Sequence, residues 1–136
     1  MRRTSRTFRL TLSPAGMDLL IDSHCRLIRT TRRLLAWGTT LHVAVAHLDT
    51  MPADLVLASL IELPALGLSG DEVHFLGAPS RLNDIAARIA RRVEDLAPTR
   101  APPEFRHIYI VALRHALSAS GDGLRAAYQS IDSNTP

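Results

Sequence analysis

The residues whose types and spacing could do chemistry are His42 and His107, which lie 65 positions apart (107 − 42). Each sits in a short run rich in β-branched residues, Thr39–Asp49 (TTLHVAVAHLD) and Phe105–Val111 (FRHIYIV). On an extended strand, residues two apart share a face. His42 then shares a side with Ala44, and His107 with Tyr109. Imidazole titrates near neutrality, so two such groups facing one cleft can work as a general acid and a general base. His74 is a third histidine in an alternating run, Glu72–Leu76. Three histidines could hold zinc, but no matching carboxylate spacing accompanies them, so neither metal nor cofactor is expected.

The elements that must position these groups follow from periodicity. Thr7–Leu12 alternates as a strand, and Ser13-Pro14 supplies an N-cap and a first-turn proline. Apolar residues from Met17 to Leu35 recur at helical spacing, with Gly38 as the expected stop after Trp37. Thr39–Leu48 reads as the first histidine strand. Pro52 opens a short helix that ends near Pro64. Glu72–Leu76 reads as a third strand, and Pro79-Ser80 opens a helix carrying Leu82, Ile85, Ala86, Ile89 and Val93. After the proline-rich loop 97–103, Arg106–Leu113 reads as the second histidine strand, and Leu124–Ile131 as a short final helix.

At the offset of 65, Pro14 falls on Pro79, Met17 on Leu82, Leu20 on Ile85 and Ile28 on Val93. The expectation is an α+β fold of duplicated βαβ units. A mixed sheet has helices on one face and a histidine-lined groove on the other. The chain reads as one domain, 1–136, with 52–70 as a helical insertion and frayed ends at 1–5 and 132–136. Leu10, Leu12, Val73 and Phe75 should face the helices. Thr7, Arg9, Thr11, His42, Ala44, His74, His107 and Tyr109 should line the groove.

Charge is unevenly distributed. Residues 1–33 carry eight Arg against Asp18 and Asp22, residues 34–80 carry no Arg and five acids, and all sixteen basic residues are Arg. The basic start suits an anionic partner. The lone Cys25 excludes an internal disulfide and reads as a buried thiol. Arg9 interrupts any leader-like apolar stretch, and no run reaches transmembrane length, so a cytoplasmic protein without a membrane partner is expected.

Trp37-Gly-Thr-Thr-Leu-His42, Asp49-Thr-Met-Pro52, Val73-His-Phe-Leu-Gly77 and Phe105-Arg-His107 resemble, in order, the motifs of the 2H phosphoesterase superfamily of 2′-5′ RNA ligase-like proteins and cyclic phosphodiesterases. That resemblance implies a metal-independent phosphodiesterase acting on a nucleotide or RNA phosphodiester. His42 and His107 would be its acid–base pair, with Arg9, Thr11 and His74 near the substrate. Ala44 and Tyr109 stand where the family keeps phosphate-holding hydroxyls. A catalytically inactive nucleotide- or protein-binding descendant is the first alternative. Thr7-Phe-Arg-Leu-Thr-Leu-Ser-Pro14 also resembles the opening strand of ribbon-helix-helix repressors, whose polar strand face reads the major groove. If residues 40–51 and 105–117 were helical, a single-chain pseudodimer of that kind would result. Sequence-specific binding to duplex DNA is the less favoured expectation at this stage.

Overall fold

The computed structural model describes residues 5–79 and 81–133; the expected frayed ends fall largely outside this range. Strict alternation in β1 (Ser5–Leu12) turns Leu10 and Leu12 inward, and both are fully buried. Ser13 caps the following helix α1 (Pro14–Thr31) by accepting a hydrogen bond from the Gly16 N–H at 3.0 Å. The helix stops at Thr31, short of Trp37. Arg32 takes up a left-handed conformation there (φ 58°), and its N–H closes on the Ile28 carbonyl.

Trp37 and Gly38 instead open α2 (Trp37–Leu48), the segment expected to be the first histidine strand. The second expected histidine strand is likewise a helix, α5 (Phe105–Ser118). The physical reason is burial on all sides. Residues Leu41 to Ala46 are all buried, as are Ile108 to Leu113. A segment surrounded by protein shows no polar face, so its apolar pattern cannot distinguish strand from helix. The duplicated βαβ sheet and its histidine-lined groove are therefore absent among the described residues, and the sheet there consists of two antiparallel strands, β1 and β2 (Glu72–Pro79).

The remaining elements are α3 (Ala53–Glu62) with a 3₁₀ turn at Leu63–Leu66, α4 (Arg81–Leu96) and α6 (Gly121–Ser133). The order is thus a strand and three helices, written twice. The segment read as an insertion, α3, has a counterpart in α6. Equivalent buried positions lie 66 apart up to α4, as in Leu10/Leu76, Leu20/Ala86 and Leu27/Val93. They lie 68 apart from α5 onward, as in Val45/Leu113 and Val56/Leu124, because the connection 97–104 is longer than 32–36. In the ribbon, Arg9 pairs with Phe75 (75 − 9 = 66), so the pseudo-twofold axis passes between these two positions.

The halves are interleaved. α2 packs on α5, α6 and β2, while α1 packs on α5, and α3 on α4 and α5. The chain leading into β2 crosses closely over the start of α1. There the Ser13 N–H donates to the Leu68 carbonyl at 3.0 Å and the Ser13 hydroxyl donates to the Gly67 carbonyl.

Two smaller expectations are also corrected. The faces of β2 are reversed: Leu76 is buried and His74 half-buried, whereas Val73 is 43% exposed. Pairing register decides this, since His74 sits opposite inward-facing Leu10 and Val73 opposite Thr11. Cys25 is exposed, because it lies off the buried stripe of α1 marked by Leu20, His24 and Leu27. Among the described residues, no helix is long and apolar enough to cross a membrane.

Candidate functional site

The two histidines that suggested catalysis do not meet. His42 is 5% exposed on α2 and lines a cavity of about 430 Å³ with Ala46, Asp49, Arg81 and Arg88. His107 is in the first turn of α5 and borders a different cavity of about 230 Å³ with Leu57, Pro102 and Pro103. Its Nδ1 lies 3.9 Å from Glu104 Oε2. Ala44 and Tyr109 are core residues. The Tyr109 hydroxyl donates to Asn83 Oδ1 at 3.1 Å, and burial pushes its pKa up to about 12. His74 faces the inner side of the ribbon, 3.7 Å from Glu72 Oε1.

Two further histidines, His24 and His115, have structural hydrogen-bond partners. His24 stacks on Trp37 with ring centroids 3.8 Å apart, and its Nδ1 lies 2.6 Å from Thr40 Oγ1. This ties α1 to the first turn of α2. His115 Nε2 lies 2.8 Å from the Ser59 hydroxyl of α3, while His47 sits beside the start of α6 near Gly123 with its buried Nδ1 lacking a hydrogen-bond partner among the described residues. His47 and His115 are 68 apart and so are related by the pseudo-twofold. Burial lowers the pKa of His24, His42, His47 and His115; Arg81 adds to the effect at His42, and Arg114 and His47 add to it at His115.

The residues that the structure does bring together are Arg9 and Thr11, on the outer face of the ribbon. Arg9 is exposed and Thr11 half-buried, while Leu10 and Leu12 between them point into the core. Across the ribbon, Thr11 sits opposite exposed Val73. Arg106, in the first turn of α5, extends this surface. Its Nη1 approaches Thr11 Oγ1 at 3.5 Å, at the outer limit of a hydrogen bond, while its Nε donates to Glu104 Oε1 at 3.1 Å. The four arginines Arg2, Arg3, Arg6 and Arg9 lie in the first nine residues, which contain no acid.

A second charged cluster lies at the C-terminal end of α2. Asp49, beyond the end of that helix, accepts from Arg88 and Arg92 of α4, each at 2.8 Å. Arg26 donates to the Ala116 and Ala119 carbonyls at the end of α5. It satisfies acceptors that a helix terminus leaves open. Among the described residues, no group of three or more His, Cys, Asp or Glu side chains is placed to hold a metal ion.

No family model, no curated protein and no solved structure matches this chain.

Proposed function

We propose that the protein binds duplex DNA through the outer face of its two-stranded ribbon, as a single-chain counterpart of a ribbon-helix-helix dimer. The observation that carries this reading is the pseudo-twofold ribbon with Arg9 and Thr11 outward and Leu10 and Leu12 buried. A two-stranded antiparallel ribbon fits the major groove, which is about 12 Å wide. Guanidinium and hydroxyl groups are the donors that read base edges there. Arg106 at the flank and the arginines preceding Arg9 supply positive charge for phosphates. The interleaved order of a strand followed by helices, given twice in one chain, supports the same reading.

The acid–base phosphodiesterase reading has weaker support. It needs both imidazoles at one phosphate, whereas His42 and His107 line separate cavities. It stands on the motif resemblance alone.

Fluorescence anisotropy with labelled mixed-sequence duplexes at low salt tests the proposal. Binding should weaken steeply as salt rises, and Arg9→Ala should weaken it roughly tenfold while leaving the fold intact. Absence of duplex binding at 50 mM salt, together with metal-free turnover of a 2′,3′-cyclic or 2′-5′ phosphodiester that His42→Ala removes, would reverse the assignment.

A further inference from the structure

Resting on that DNA-binding reading, we infer that the ribbon recognises an asymmetric site: base-specific hydrogen bonding comes from one strand, so the preferred duplex has no dyad symmetry. A ribbon built from two identical chains presents the same residues to both halves of its site, which imposes a palindrome. Here the two strands belong to one chain and have separate sequences. The pseudo-twofold relates Thr11 to Gly77 and Arg9 to Phe75, both at the offset of 66, while register places Val73 opposite Thr11. β1 therefore offers a guanidinium at Arg9 and a hydroxyl at Thr11. At the described outward positions β2 offers the aliphatic side chain of Val73 and the bare backbone of Gly77, both exposed.

These surfaces read different features. Arginine pairs bidentately with guanine O6 and N7, while an aliphatic group has only the thymine methyl to contact. The flanks differ in the same sense. Arg106 of α5 approaches Thr11 at 3.5 Å, on the β1 side, so the positive charge also concentrates on one half. The partner is a duplex with a guanine at its centre, opposite Arg9, one strongly specified half under Thr11, Val73 and Arg106, and one weakly specified half under Gly77. The pseudo-twofold supplies the shape that fits the groove, and the divergence of the strands supplies direction.

Selection of bound duplexes from a pool with twenty randomised base pairs tests this with the full chain. The expected result is a motif with a guanine at its centre and further specificity on one side only. Scrambling the specified half should cost tenfold or more, and scrambling the other half less than threefold. Phe75→Arg, which puts a guanidinium at the twofold-related position of Arg9, should shift the selected motif toward dyad symmetry; circular dichroism on that variant checks that the fold is kept. A palindromic motif from the unmodified chain, with symmetrised duplexes bound tighter, would overturn the asymmetry while leaving DNA binding in place. Retention of no duplex at all would overturn both. Equal losses on scrambling either half would also overturn the asymmetry.

Discussion

Gly16 sits in the first turn of α1, where helix propensity and packing give opposite signs for Gly16→Ala. Replacing an interior glycine with alanine favours a helix by up to about 1 kcal/mol. A Cβ built at Gly16, however, falls 2.1 Å from the Leu68 carbonyl oxygen and 3.1 Å from Leu12 Cδ2. The carbonyl is backbone and must move by more than an ångström to reach ordinary contact. That carbonyl accepts from the Ser13 N–H, and the neighbouring Gly67 carbonyl accepts from the Ser13 hydroxyl. Losing both hydrogen bonds costs about 2 kcal/mol, and disturbing the Ser13 cap adds about 1 kcal/mol. After subtracting the propensity gain, the variant should be about 2–3 kcal/mol less stable, a fall of several degrees or more in Tm for a chain of this length. Urea unfolding followed by circular dichroism, with a thermal melt beside it, measures this. A variant as stable as the parent or more so would show that the 67–70 crossing is not pressed against α1, and the reasoning would fail.

Other outcomes are expected from the same structure. The depressed pKa values of His24, His42, His47 and His115 mean that the unfolded chain binds more protons below its histidine pKa of about 6.5. Stability is therefore complete above that pH and lost as pH falls toward the folded-state values, each histidine adding up to about 1.4 kcal/mol per pH unit. Urea midpoints at pH 7.5, 6.5 and 5.5 should fall in that order, and a flat profile would contradict the burial of these rings. Arg26→Ala should destabilise by about 1–2 kcal/mol, since it removes the donors at the end of α5, while exposed Arg29→Ala should stay within about 0.5 kcal/mol. Equilibrium unfolding of the two variants side by side decides between a capping and a merely solvated Arg26.

Local signals were legible where one face of an element meets water. β1 alternates because Leu10 and Leu12 go inward and Arg9 outward, and α4 follows its predicted stripe through Leu82, Ala86, Ile89 and Val93. The cap at Ser13-Pro14 was readable because it is local: it depends on one hydroxyl and the Gly16 N–H three residues on. An internal duplication was also visible, though in the wrong register. The offset of 65 aligned two histidines, whereas buried positions recur at 66 and then 68. That shift dissolves the apparent pairing of His42 with His107 and replaces it with His47 and His115.

By its own pattern, then, the sequence determined one amphipathic strand with a polar outer face, two capped or striped helices, and an arginine-rich start. The tertiary structure alone decided the state of residues 37–48 and 105–118. Both segments are enclosed by other elements, so no contrast between wet and dry faces marks their period, and their β-branched content points to strand. In the interior each must satisfy its own backbone hydrogen bonds, and a helix does so without a sheet neighbour. Once they are helices, the groove with two histidines has no strands to build it, and the chemistry moves to the outer face of the ribbon at Arg9 and Thr11.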